Sequence, residues 1–465
     1  MIIQKVEISR LVGMRYDVSF YQERFDYFSQ IYPTCELEDI LYINPPVTFS
    51  NLTDNDIISY IPMEVIDERY GIVSSTKNIT VSNTKGYTKF KEGDLLWAKI
   101  TPCMQNGKSA IAQNLLKGVG CGSTEFFVLR PKSNNVLIKY IHFILRDHRV
   151  LKSAQNSFGG SAGQQRVSSS YLKTIKIPLP PIEIQQEIVD IYTTANKARL
   201  QKDEEAKKLL DSIDNVLTQY LGIITPEKSD FSETRYLTPI SQLIGERYDP
   251  YFHNPYFEKA FAELARSKYP LKKLGDISVL ITSGITPKAG GDAYTDAQSG
   301  IAFIRSGDID INGNINFDEL LYIKPEVHNK QMKSSKVYNN DIMIAIVGAT
   351  IGQVGIYHSD KEANINQAIA LVRLKDGYDP EYVKELIKSS IGQLNLDRLK
   401  RPVARANINL EEIASILIPI PEKVEIQTAI ANEIQNIRVK AETIRNEGSA
   451  ILENAKERIE KMILG

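Results

Sequence analysis

Two stretches of this sequence carry side-chain types that bond phosphates and base edges. The first, KSAQNSFGGSAGQQR (152–166), sets Lys152, Gln155, Asn156, Gln164 and Arg166 around Gly159, Gly160 and Gly163. Amides and guanidinium groups bond phosphate oxygens and base edges. Glycines let backbone approach a phosphate closely. The second runs from Lys384 to Arg405, where Lys384, Lys388, Arg398, Lys400, Arg401 and Arg405 stand against Glu385 and Asp397. Either stretch alone also fits a solvated loop or a solvated basic helix face. They occupy matching places in two halves of the chain, which favours the binding reading.

Residues for catalysis are not grouped in the same way. The five histidines (His142, His148, His253, His328, His358) are scattered, with no carboxylate or cysteine at metal-ligand spacing. No Walker A or GxGxxG string occurs. Asn44-Pro45-Pro46-Val47 is similar to the Asn-Pro-Pro-aromatic string with which amino-methyltransferases hold a flipped base, but Val47 has no ring to stack on it. Three cysteines (Cys35, Cys103, Cys121) suit free thiols in a reducing cytoplasm and argue against a disulfide scaffold or zinc ribbon. The expectation is a cytoplasmic reader without a reactor, with no catalytic residues, metal or cofactor.

What positions these stretches is an internal repeat. Arg15-Tyr16-Asp17 returns as Arg247-Tyr248-Asp249, and IPMEVID (61–67) returns as IRSGDID (304–310). GDLLWAKI (93–100) matches NDIMIAIV (340–347), and KTIKIPLPPIEIQQEI (173–188) matches ASILIPIPEKVEIQTAI (414–430). All the matches fall in one order. Each repeat begins as a mixed α/β domain, with strand-like runs at Asp94–Ile100, Glu125–Arg130, Asp341–Gly348 and Ala368–Leu374. Helical patterns follow at Leu137–Gln155 and Glu381–Asp397, and a proline-punctuated strand closes each domain.

A long helix then starts in each repeat. In the second, Ile430, Ile434, Ile437, Ala441, Ile444, Gly448, Ile451, Ala455, Ile459 and Met462 approximate a 3.5-residue seam, the coiled-coil period. Gly448 on that seam either weakens the helix or allows close backbone approach. In the first, Ile184, Ile188, Ile191, Ala195 and Ala198 open the seam, and Leu209, Ile213, Val216 and Tyr220 finish it. Lys202–Glu205 between them is charged all round, and Gly222 with Pro226 ends the helix. The expected architecture is two mixed α/β domains separated by two long helices in an antiparallel coiled coil, with a pseudo-two-fold repeat. The expected segments are 1–181 for the first domain, 182–222 for its helix, 223–421 for the linker and second domain, and 422–465 for the last helix. At 1.5 Å per residue such helices would span about 60 Å.

With 465 residues the chain is long enough for several domains. Its net charge of −1 conceals an uneven distribution. Residues 1–181 carry 21 Lys+Arg against 16 Asp+Glu, while 182–222 carry 5 against 8. A mildly basic first domain followed by acidic helices is compatible with nucleic acid at the domains.

Two variable α/β domains, each closed by IPLPPIEIQQEI (177–188) or IPIPEKVEIQTAI (418–430), resemble the DNA specificity subunits of type I restriction-modification systems. SGITP (283–287), KFKEGDLLWAKITPCMQNGK (89–108) and VYNNDIMIAIVGATIGQVG (337–355) carry the resemblance further. The chain departs from the family in having Ile184-Gln185 and Ile426-Gln427 where a Glu-Gln pair is usual. Its first domain has Ile43–Val47 where the second has SGITP, so the two domains are expected to read different sequences. The resemblance implies a non-catalytic subunit that reads a bipartite, asymmetric site in double-stranded DNA. It implies that the helices dock two modification (methyltransferase) subunits, that restriction and motor subunits join, and that no membrane is involved. It points to recognition residues Lys99, Thr101, Gln105, Asn106, Lys108, Gln164 and Arg166 in the first domain. In the second it points to Ser283, Thr286, Lys288, Tyr294, Arg305, Thr350, Gln353, Lys400, Arg401 and Arg405. The coiled-coil and docking residues would be Ile188, Ile191, Ile213, Val216, Ile430, Ile434, Ile437, Ile444 and Ile451. The rival readings, a stand-alone DNA methyltransferase or nuclease and a coiled-coil adaptor without DNA, differ in needing cofactor or cleavage activity in the chain alone, or in leaving no bipartite footprint.

Overall fold

A computed structural model describes residues 29–155, 157–158, 165–224, 235–244, 247–287, 292–310, 312–401 and 406–465, apart from the side chains of 241 and 242. The chain forms two compact units, residues 1–204 with 444–465 and residues 205–443. Each unit therefore holds one α/β domain with part of each long helix.

In the first unit, the segment Leu95–Ala98 is buried on both faces, which is why it reads as an unbroken apolar run. It lies in a four-stranded sheet ordered Leu41–Ile43, Phe126–Pro131, Leu95–Ala98, Ser109–Ile111. Strand alternation sends Leu95, Trp97, Phe127 and Leu129 toward the helices, and Leu96, Phe126 and Val128 toward a second core with Ile61 and Phe90. The second sheet runs Lys77–Thr80, Ile57–Ile61, Val119–Gly122, Thr88–Lys91, with its middle pair parallel.

The second unit repeats this plan. One sheet is ordered Ser278–Ser283, Ile369–Leu374, Ile342–Ala345, Val354–Ile356. The other is Tyr294–Thr295, Leu321–Ile323, Ile301–Ile304, Ala363–Ile365, Lys336–Val337, again with one parallel pair, Ile301–Ile304 with Ala363–Ile365.

The repeat extends to individual polar contacts. Arg130 forks onto Asp94 at 2.7 and 2.7 Å, and Arg373 forks onto Asp341 at 2.8 and 2.6 Å. Each aspartate also accepts a backbone amide, from Lys91 or Tyr338, so each buried carboxylate is fully paired. The Tyr140 hydroxyl donates to the Pro178 carbonyl (2.8 Å), as Tyr382 does to Pro419 (2.9 Å).

The glutamines that survive at the helix starts have a structural reason. Gln185 is fully buried. Its amide donates to the carbonyls of Asn135 (2.9 Å) and Pro180 (2.8 Å), and its oxygen accepts from the Leu137 amide (2.9 Å). Gln427, equally buried, donates to Pro421 (2.8 Å) and accepts from Asp379 (2.9 Å). One amide thus ties the long helix to the start of the domain helix.

Those domain helices are each split where one was expected. The first is Ile138–Leu145 and His148–Gln155; the second is Pro380–Lys388 and Ser390–Leu399. At the second break the Ser389 hydroxyl donates to the Leu386 carbonyl, competing with the helical ladder.

The first long helix runs Ile182–Asp211 and resumes as Ile213–Leu221 after Ser212, whose hydroxyl donates to the Leu209 carbonyl. It ends at Gly222, which takes the left-handed conformation (φ 66°) a C-cap requires. The last helix is continuous over Val424–Leu464. Within the first unit the two helices run antiparallel, since Lys202 pairs with Glu447 (2.7 Å) and Arg458 approaches Glu187 (3.4 Å). In the second unit Tyr220 hydrogen-bonds Glu433.

The inward stripe differs from the 3.5-residue seam. Ile430, Ala441, Leu452 and Ile463 are all buried and stand eleven residues apart, a period of about 3.67 that a nearly straight helix presents on one side. Beyond Gly448 the stripe moves on to Leu452, and Ile451 is left 39% exposed, outside the core. Ile188, Ile213, Ile430, Ile434 and Ile444 are buried, while Ile191, Val216 and Ile437 are partly so. The charged stretch Lys202–Glu205 also has an inward member. Asp203 is buried beneath Arg69 (2.9 Å) and accepts the Tyr70 hydroxyl.

Gly448 is a point of close approach: a Cβ there would meet Lys202 Cβ at 3.0 Å and Arg199 Cα at 3.4 Å. Replacing Gly448 with Leu should therefore overpack the first unit and cost roughly 1–3 kcal/mol, read as a lower Tm. Gln185→Ala should lower the stability of the first unit by about 1–3 kcal/mol in urea unfolding, because the Leu137 amide is left without its acceptor. Gln427→Ala should do the same to the second unit. No loss in either variant would dismiss the amide tie.

Candidate nucleic-acid interface

In the first unit, the strand Leu95–Ala98 leads into a turn that gathers three separate parts of the chain. The turn is closed by Met104 N to Ile100 O (2.9 Å) and Lys108 N to Cys103 O (3.0 Å). The returning segment bridges Ile100 to Arg166, with Thr101 N donating to Gln165 O (3.0 Å) and Val167 N to Lys99 O (2.9 Å). Lys99, Thr101 and Arg166 thereby become neighbours across more than sixty residues of sequence.

Arg166 is aimed by a carboxylate. Glu125 accepts from its Nε (2.9 Å) and Nη2 (2.8 Å), while the Lys99 amide donates to the Glu125 carbonyl (3.0 Å). The guanidinium holds the Glu125 carboxyl below its ordinary range, and the carboxylate raises Arg166 in turn. Lys99 also lies over the Phe127 ring at 5.6 Å. Gln105 and Asn106 are exposed at the turn, where the Asn106 amide reaches Glu68 (3.4 Å). Lys108 is partly buried and points to the Met63 carbonyl (3.4 Å) and Glu68 (4.0 Å). Gln164 lies outside the described residues.

The second unit forms two neighbouring groups. Gly284 approaches the chain so closely that a Cβ would fall 1.7 Å from the Ile365 carbonyl oxygen, which explains the glycine of SGITP. Ser283, the last residue of its strand, pairs with Ala370, and Thr286 donates to Gln367. Asn366 N bonds Ile304 O (3.0 Å), bringing Arg305 to the same turn, and Arg305 is held by Asp308 at 3.0 and 2.7 Å. The Tyr294 hydroxyl donates to the Pro287 carbonyl (3.1 Å).

The other group lies on the loop after Ile342–Ala345. Val347 bridges Asn407, and Gly348 N donates to Ala406 O (3.0 Å), the counterpart of the Ile100–Arg166 bridge. Thr350 donates to Val347 O (3.3 Å), and the buried Gln353 Oε1 has no donor among the described residues. Arg401 donates to Asn407 O (2.9 Å) and forks onto Glu412 at 3.1 and 2.8 Å. Lys400 pairs with Asp397 (2.6 Å). Lys288 and Arg405 lie outside the described residues.

Sequence reasoning missed the carboxylates that hold these cations, Glu125, Asp308 and Glu412. Asp308 was legible in principle, three residues after Arg305. Glu125 reaches Arg166 only through the fold.

The residues considered for chemistry have structural partners. The Asn44 side-chain oxygen accepts from the Val128 amide (3.0 Å), and Val47 packs into a small core with Phe49. His142 is buried against Ser109 (3.1 Å), and burial pushes it down to about 3, so it is neutral at physiological pH. Among the described residues no group of three or more His, Cys, Asp or Glu is placed to hold a metal ion. No described helix is long and apolar enough to cross a membrane.

Because Glu125 titrates lower when folded, its pair with Arg166 adds stability above the usual glutamate range, and that contribution disappears as the pH falls below it. Thermal melts between about pH 3 and 7 should show Glu125→Gln converging on the unsubstituted protein at the acid end. A constant difference across that range would refute the pairing.

Comparison with known proteins identifies the family. The family described as "Type I restriction modification DNA specificity domain" matches residues 32–209 and 267–453. The Escherichia coli type I restriction enzyme EcoAI specificity subunit is 33% identical over 221 residues, 46% of this chain and 36% of that protein. The chain thus aligns with about a third of the length of that relative. The putative type I restriction enzyme MjaX specificity subunit of Methanocaldococcus jannaschii is 24% identical over 381 residues, covering 80% of this chain and 77% of that one. A chain from a solved structure on complex assembly and conformational transition of the type I R-M system shares the fold, with a TM-score of 0.51 at 15% identity, covering 94% of this chain and 98% of that one. The chain belongs to the type I restriction-modification DNA specificity family.

Proposed function

We propose that this chain is the non-catalytic recognition subunit of a cytoplasmic type I complex, reading a bipartite, asymmetric site in double-stranded DNA with one domain per half-site. The observation that carries this reading is a duplicated scaffold with unlike loops. Asp94–Arg130 and Asp341–Arg373 repeat, as do Gln185 and Gln427. The loops they support differ: Arg166 is bridged to Ile100, whereas Asn407 is bridged to Val347. Equal frames with different contact groups suit two different half-sites.

In this reading Lys99, Thr101, Gln105, Asn106, Lys108, Gln164 and Arg166 contact one half-site. Ser283, Thr286, Lys288, Tyr294, Arg305, Thr350, Gln353, Lys400, Arg401 and Arg405 contact the other. A guanidinium held along one edge by a carboxylate is preorganised toward a base or phosphate. The long helices dock two modification subunits, and restriction and motor subunits complete the assembly. The domain boundaries for exchange are 1–181 and 223–421, with the helices 182–222 and 422–465 between and after them.

The test is methylome sequencing of cells expressing the full chain with its modification subunit. A two-part motif with a fixed unspecified gap is expected, and exchanging residues 1–181 for those of another specificity subunit should change one half only. Change in both halves, or methylation without a two-part motif, would defeat the reading.

A further inference from the structure

The strand Thr88–Lys91 forms one edge of its sheet, opposite the edge strand Lys77–Thr80. Its alternation sends Phe90 into the core and leaves Lys89 and Lys91 on the other face, continuing from Tyr87, while Lys85 stands exposed at the turn before it. Lys85, Lys89 and Lys91 form no ion pair with a described residue. Lys89 instead rests over the Phe49 ring at 4.6 Å, and Tyr87 packs against Tyr60 at 5.1 Å while remaining 38% exposed. The carboxylates next along the chain are engaged elsewhere. Glu92 accepts the amides of Asn114 and Leu115, and Asp94 is forked by Arg130.

Lysines on a sheet edge also block pairing with another chain, so the edge alone would decide nothing. Its register does. Thr88 lies opposite Gly122, three residues before the Glu125 that aims Arg166. The lysine-bearing strand therefore enters at the end of the sheet from which the Lys99–Arg166 cluster is built. The strand residues at the equivalent edge of the second unit are engaged differently. Lys336 is bonded to Asn329 (2.8 Å) and lies 3.5 Å from Glu362, and Tyr338 is covered by Arg373 at 4.6 Å.

We propose that Lys85, Lys89 and Lys91 form a phosphate-binding edge that seats the DNA backbone beside the first half-site. The proposal rests on the DNA-reading function above. Phosphate contacts carry no sequence information and add to salt dependence, each contributing about 0.9 to the slope of log K against log[salt].

The experiment measures DNA affinity against salt for the full chain assembled with its modification subunit, on duplex carrying the motif found by methylome sequencing. Replacing all three lysines with Gln should reduce the slope by about 2–3. Because Lys89→Gln also removes the Phe49 contact, Lys85→Gln/Lys91→Gln is measured beside it and should reduce the slope by about 2. Lys336→Gln should leave it unchanged, and the methylated motif should be the same in every variant. An unchanged slope in the double variant, or an altered half-site, would overturn the phosphate edge while leaving the recognition reading intact. Failure of the unsubstituted complex to bind DNA would defeat both.

Discussion

The arrangement of each unit depends on one buried side-chain amide at the start of a long helix. Gln185 and Gln427 sit where a chain leaving a proline-ended strand must turn into a helix, a place rich in backbone groups without partners. A carboxylate could accept there but could not also donate, and an apolar side chain could do neither. The amide does both, so the domain helix and the long helix are joined without an unpaired polar group.

From that joint the remaining architecture follows by burial. The strands Leu95–Ala98 and Ile342–Ala345 are covered on both faces, by helices on one side and by the second sheet on the other. The Asp–Arg forks lie beside these strands. Each aspartate is almost fully buried, and its full complement of hydrogen bonds is what makes a charge tolerable there. A frame built in this way constrains sequence in its core and leaves the loops beyond the strand ends free to differ. The contrast between Arg166, aimed by Glu125, and Asn407, bridged to Val347, lives on those loops.

Charge follows the same division. Most cations proposed for recognition are held by a nearby carboxylate, which fixes their direction at the cost of part of their field. The lysines of the Thr88–Lys91 edge are not held in this way by any described residue. Directed guanidiniums suit base edges and loosely held ammonium groups suit phosphates, so one domain can present both kinds of contact side by side.

Much of the fold was legible in the residues themselves. Strands at 94–100, 125–130, 341–348 and 368–374, the two long helices, the Gly222 stop and the duplication follow from local rules: period, turn chemistry and repeated order. The stripe of the last helix was legible only approximately, because the apolar residues Ile451 and Leu452 are adjacent and either could face inward. Close approach at Gly448 and the pitch of the packed helix selected Leu452. The domain helices broke where the side chain of Asp147 or Ser389 bonds the local backbone and interrupts a pattern that was continuous in sequence. Of the candidate site, residue types and approximate places could be read, since amides, cations and glycines have recognisable chemistry. Which of them meet could not: Arg166 beside Lys99, Thr286 on Gln367 and Arg401 on Glu412 are contacts between distant segments. The sequence by itself determined the repeated elements and the inventory of binding groups, because these depend on neighbours along the chain. Only the tertiary structure decided the partners, burial and direction of those groups, because hydrogen bonds and packing act across space.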